Sequence, residues 1–375
     1  MRFAIIVSIM VLLFCSPVVL ASQDHWEEQP LPLEDWLFEL DREFSDHVPQ
    51  LNWSQLFSDL VKGRTTLDFR SLGLDLFKHF TGEFWALSRL LAQLLVLIVA
   101  CSLLQNVHTA LARSGSGQLA YLVCYLALIG VAMGSFTAAM GIARGVIESL
   151  VTFLQALLPV MVTLLATSGA PASAGMLHPV MTLAIYGVSV LIADFVFPLI
   201  FVAAVIELVG HLSEKFDISG MVTLLKQVAL GAMGLAMTAF CGIIVVQRAA
   251  SGVADSVSLR TAKYLAGTFV PIIGKLFADT MEMVYVSSAS LRSVVGIAGS
   301  FGVFVMVAFP LVKIVSLIAV YRIAAALAQP VGGERVSKCL HSIASFLTIG
   351  AVCVGAVALM FIFALAMMAS ASRPF

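Results

Sequence analysis

Seven polar side chains stand inside otherwise apolar runs of this 375-residue chain: Arg89, Gln93, Asp194, Glu207, Lys226, Lys313 and Arg322. In a bilayer each such charge costs about 2.5–3.5 kcal/mol on insertion scales, so it pairs, lines a cavity, meets a partner or snorkels to the interface. Asp194 is the sharpest case, with apolar residues on both sides near the middle of its run. Two readings stay open for it, a path or subunit contact and an ordinary buried pair. Glu207, Lys226, Lys313 and Arg322 lie near run ends, where snorkelling is sufficient. A second group, Lys275, Asp279 and Glu282, recurs at helical spacing within Thr261–Met283. That stretch is too polar to span comfortably yet is periodic, which fits an in-plane or re-entrant helix lined by protein or water.

Catalytic chemistry has little to stand on. The chain carries no phosphate-binding loop, no zinc-type His pair and no Gly-x-Ser-x-Gly elbow, so ATP hydrolysis and serine hydrolysis both lack their parts. Gly115-Ser116-Gly117 reads as a flexible turn, and His178 and His211 are isolated in sequence. No catalytic, cofactor-binding or metal-binding residue is assigned, and the expectation is a protein that is not an enzyme. After removal of Cys15 with the leader, Cys101, Cys124, Cys241, Cys339 and Cys353 remain, all in or beside apolar segments and without a Cys-x-x-Cys pair. They read as small packing residues rather than a disulfide framework.

The elements that must position these residues are membrane helices. Hydrophobic residues make up 60% of the chain and charged residues 11%, with a mean hydropathy of +1.02. A soluble domain runs nearer half apolar and a quarter charged. Lipid must therefore be the solvent for much of this surface, and only helices or closed barrels satisfy the backbone there. Strong apolar segments near 88–110, 118–141, 146–166, 179–208, 228–247, 293–328 and 342–369 give six to eight spans of an all-α polytopic protein. The sixth is long enough for one Pro310-kinked helix or two short ones.

Three divisions are expected along the chain. Residues 1–21 have the form of a signal peptide, with Arg2, an apolar run from Phe3 to Phe14, and cleavage between Ala21 and Ser22. Residues 22–85 form an acidic, aromatic, helical segment outside the cytoplasm. Ser22–Trp85 holds thirteen Asp/Glu against five Lys/Arg, whereas the chain from Ala86 onward holds nine acidic and fifteen basic residues. The polytopic domain occupies 86–375, and its basic residues Arg113, Arg248, Arg260 and Lys263 place those loops in the cytoplasm. The excess is too small and scattered for a nucleic-acid-binding face. A constant offset of 112 residues relates Pro159 to Pro271, Phe197-Pro198-Leu199 to Phe309-Pro310-Leu311, and Cys241 to Cys353. It suggests a duplicated unit, 146–257 and 258–369, in inverted or parallel arrangement. Gly130/Gly134 and Gly231/Gly234 permit close helix packing, of which homo-oligomerisation is one use.

The ordered combination of leader, acidic segment and many-span core resembles the stage III sporulation protein AE family of endospore-forming bacteria. The likeness is strongest from Arg260 to Val295, containing Thr268-Phe269-Val270-Pro271-Ile272-Ile273-Gly274-Lys275, Ser287-Ser288-Ala289 and Val294-Val295-Gly296. The resemblance implies a component of a mother-cell assembly that meets a forespore partner and forms a channel-like, secretion-like complex across two membranes. It implies as partners the stage III sporulation A proteins AF, AG and AH, and stage II sporulation protein Q. The acidic segment would then lie between the membranes. An autonomous transporter and a non-conducting scaffold remain as alternatives. The resemblance supplies no catalytic residues.

Overall fold

The structure is a computed structural model, and it describes residues 69–110, 115–168, 170–211, 218–269, 273–331 and 333–370. Ala21, Ser22 and most of the acidic segment lie outside the described residues. Among those described, every element is helical: α1 (Phe69–Ala86), α2 (Ser88–Ala110), α3 (Gly115–Thr167), α4 (Pro171–Val190), a π-helical turn (Leu191–Val196), α5 (Phe197–Gly210), α6 (Ser219–Phe269), α7 (Ile273–Val331) and α8 (Gly333–Ala369). The chain is an all-α polytopic membrane protein. Among the described residues, five stretches are long and apolar enough to cross a bilayer: Leu119–Thr167, Pro171–Gly210, Ser219–Ala250, Ser287–Val331 and Glu334–Ala369. A sixth follows if Leu76–Ala86 and Ser88–Leu104, bent by 42°, count as one broken span.

Five or six spans fall at or below the low edge of the expected six to eight, and the cause is physical. The runs 118–141 and 146–166 form one uninterrupted helix of 53 residues, because nothing between Met140 and Val146 breaks it. The link is Gly141-Ile142-Ala143-Arg144-Gly145, and Arg144 closes an i,i+4 pair with Glu148 at 2.9 Å. Pro159 is accommodated inside α3, and Pro310 inside α7. Thr261–Met283 is likewise not one helix of its own. Its first part ends α6 at Phe269, and its last part opens the continuous α7 at Ile273. Val270–Ile272 lie outside the described residues.

α7 and α8 make the centre. In their most apolar windows 50% and 56% of residues are buried, against 22–33% in the other spans, so the hairpin is wrapped by the rest. Tyr321, Phe346 and Phe361 are fully buried along it. Glycines let α3 close on this hairpin at two places and let the two helices of the hairpin meet at a third. A Cβ at Gly350 would lie 2.8 Å from Met140 Sδ, one at Gly299 would lie 3.0 Å from Leu157 Cδ1, and one at Gly296 would run into Ala369. The hydroxyls of Tyr321 and Ser135 hydrogen-bond between α7 and α3. α1 leans on α7, with His79 edge-on to Phe309 at 5.1 Å and Glu83 4.0 Å from Lys313.

Candidate functional site

Pro198 shapes the segment that carries Asp194. A proline has no N–H for the carbonyl four residues back, and its ring crowds that carbonyl, which here belongs to Asp194. The helix responds by widening to a π turn over Leu191–Val196, and the Phe197 N–H donates to the Ile192 carbonyl five residues back. Such turns recur at functional sites. Asp194 lies on the outer surface of the bundle, where its side chain is 66% exposed. Arg144 of α3 reaches it, Nη2 to Oδ1, at 3.9 Å, while the Arg144 Nε donates to Glu148 Oε1 at 2.9 Å. One cation and two carboxylates therefore share an outward patch halfway along two membrane helices. Sequence reasoning misses Arg144 and Glu148 because neither looks isolated there, being four residues apart on one helix.

The second charged cluster joins α5, α6 and α8. Lys226 Nζ donates to Glu207 Oε2 at 2.6 Å, and the Ser342 hydroxyl donates to Glu207 Oε1 at 2.5 Å. His211 Nε2 lies 3.2 Å from Ser342 Oγ. The hydroxyl hydrogen is already directed at Glu207, so the imidazole must donate, which fixes the Nε2–H tautomer. Lys226 also sits 4.2 Å above the Phe346 ring. Burial pushes the His211 imidazole below its ordinary value; Glu207 opposes the shift, and Lys338 and Lys226 reinforce it. Rather than snorkelling apart, Glu207 and Lys226 neutralise each other with only 20% and 25% of their side chains exposed. The cluster borders a cavity of about 220 Å³ that is also lined by Ser219, Val222 and Thr223.

This set of groups is not a hydrolytic triad. A triad needs the imidazole between hydroxyl and carboxylate so that it can accept the hydroxyl proton. Here the Ser342 hydroxyl stands between them. What the arrangement can do is hold three helices together around a charge-neutral core. Among the described residues no three His, Cys, Asp or Glu side chains converge on a site that could hold a metal ion.

Of the other sequence-selected residues, Arg89, Gln93 and Arg322 point outward, and Lys313 is half exposed near Glu83. Lys275, Asp279 and Glu282 fall on the opening turns of α7, and their side chains lie outside the described residues. One residue that carries no flag in the sequence is Arg292, which is 1% exposed. It donates to Ser168 Oγ at 3.0 Å and to the Ala369 carbonyl at 3.4 Å, pinning the C-terminal ends of α3 and α8. A cation at two such ends meets the negative poles of both helices. Its neighbours Ser290, Leu291 and Ser293 form a mixed polar and apolar stretch that gives no signal for that burial.

A family model described as stage III sporulation protein AE matches residues 51–372. The chain belongs to the stage III sporulation protein AE family. A curated relative, stage III sporulation protein AE of Bacillus subtilis (strain 168), is 35% identical over 298 residues, covering 80% of this chain and 75% of the relative. No solved structure matches the chain. The matched region takes in the whole described bundle, so both charged clusters belong to the family's own domain rather than to an appended one. Membership in the AE family gives this polytopic protein a role in sporulation.

Proposed function

We propose that this protein is an integral membrane component of a channel-like, secretion-like complex between mother cell and forespore, required for late forespore development. The family match over residues 51–372 is the observation that carries the reading. The many-helix bundle supports it, since a complex that joins two membranes needs a part embedded in one of them. In this reading the protein sits in the mother-cell membrane around the forespore, and the segment from Ser22 onward faces the space between the membranes after the leader is cut at Ala21. Stage III sporulation A proteins AF, AG and AH and stage II sporulation protein Q are its partners. Its role is structural or conductive rather than enzymatic.

The test is genetic. Deleting the gene and inducing sporulation should silence a late forespore-specific reporter after engulfment, and the wild-type gene should restore it. A normal reporter with normal spores would overturn the reading. One observation favours a second reading, an autonomous transporter: the Glu207–Lys226–Ser342–His211 network beside a cavity. That reading expects ion- or substrate-driven flux by purified protein in vesicles, reduced by Glu207→Gln. Absence of flux in vesicles together with a silent reporter in the deletion strain would retire it.

A further inference from the structure

The patch formed by Arg144, Glu148 and Asp194 poses a physical problem that the single chain does not solve. Their side chains are 53%, 57% and 66% exposed. They lie near the middle of Leu119–Thr167 and Pro171–Gly210, the part of each span farthest from its ends. Around them the surface is lipid-like, with Leu183, Tyr186, Val190 and Phe195 all exposed. An aspartate side chain is too short to reach far along a helix toward water, so a charge on this apolar surface calls for a partner.

We propose that a second copy of this chain covers the patch, with Arg144 and Asp194 exchanging partners across a two-fold axis along the membrane normal. A two-fold contact requires one face to be complementary to itself, with residues i and j meeting j and i of the other copy. Charges of opposite sign at the same depth meet that requirement, and the 3.9 Å separation of Arg144 and Asp194 places them level. Arg144 is loosely engaged by Asp194 within its own chain and tightly by Glu148 at 2.9 Å, so its outer nitrogens are the ones to turn across the contact while Nε keeps Glu148. Two glycines flank it on α3. A Cβ at Gly141 or Gly145 would touch nothing within 4 Å, so close packing inside the chain does not account for either glycine. In the dimer they let the two α3 helices approach closely enough for the ion pairs to form.

This inference needs only a membrane-spanning chain and does not rest on the sporulation role. The experiment uses the full chain carrying two different tags, co-expressed in one membrane, extracted in mild detergent and captured on one tag. Wild-type copies co-purify. Arg144→Asp alone places like charges across the axis, and so does Asp194→Arg alone; each should lower co-purification by about tenfold. Co-expressing the first variant with the second restores opposite charges across the contact and should return co-purification to at least about half the wild-type level. If charge reversal blocks insertion, Arg144→Gln and Asp194→Asn form a milder pair, with a loss of about threefold each. Correct folding of every variant is checked by oxidative crosslinking of Cys101 to Cys124, whose sulfurs lie 3.2 Å apart inside one chain. Single variants that co-purify like wild type would overturn the proposal, as would a mixture no better than its parts. Failure of wild-type copies to associate at all would overturn it too, and would assign the patch to a different membrane protein or to water.

Discussion

At the residue scale, Glu207 and Lys226 are tolerated inside this bundle because they neutralise each other. Glu207 receives hydrogens from both Lys226 and Ser342, and Lys226 turns its remaining face to Phe346. Lys226→Met would leave Glu207 charged and mostly buried. Breaking a fully buried pair costs about 3–5 kcal/mol, and the partial exposure here reduces that to about 2 kcal/mol. The expected result is a lower melting midpoint in detergent, largely recovered when Glu207→Leu is added. A second test uses pH. His211 is held below its ordinary imidazole value by burial, so the folded chain binds fewer protons than the unfolded chain in the acid range. Its contribution is complete above the unfolded value near 6.5 and is lost as pH falls below it. Wild-type protein should therefore lose more of its melting midpoint between about pH 7.5 and 5.5 than His211→Gln, as thermal scans would show.

At the element scale, glycines divide into two classes that a sequence cannot separate. Gly296, Gly299 and Gly350 lie where α7 and α8 close on their neighbours, and an added Cβ there meets Ala369, Leu157 and Met140. Gly130, Gly134, Gly141, Gly145, Gly231 and Gly234 face open space. Gly299→Val should cost about 1–3 kcal/mol through overpacking. Gly134→Ala, on the open side, should leave the chain as stable or slightly more so, because glycine within a helix costs about 0.5–1 kcal/mol relative to alanine. Comparing the two melting midpoints checks the division. Pro198 has an element-scale effect as well, since the π turn it induces sets the direction in which Asp194 points.

At the scale of the whole molecule, the spans are unequal. The α7–α8 hairpin is wrapped by protein, whereas Leu119–Thr167, Pro171–Gly210 and Ser219–Ala250 keep most of their surface outward. α3 is about 80 Å long at 1.5 Å per residue, well beyond a hydrocarbon core of about 30 Å, so it must tilt strongly or project from the bilayer. Alkaline carbonate washing should leave the protein in the membrane pellet and detergent should release it. Release by carbonate would refute the reading of these helices as spans.

Composition and hydropathy alone determined the all-α polytopic class, because that much apolar surface has no soluble solution. They also placed most of the apolar segments, and the stretch around Thr268–Lys275 carried the family likeness. The site was only half legible. Asp194 stood out because it is a lone charge in an apolar run, but its partner Arg144 lies 50 residues earlier and its outward direction follows from a π turn at Pro198. Glu207 and Lys226 were visible as charges near run ends, while their pairing through Ser342 depends on how three helices meet. Arg292 gave no sign at all, since burial of a cation against two helix ends is a property of chain segments far apart in sequence. Hydrophobic periodicity reports the solvent that each helix prefers; which faces meet, and which charges they bring together, is set by packing between distant segments, and only the tertiary structure decides it.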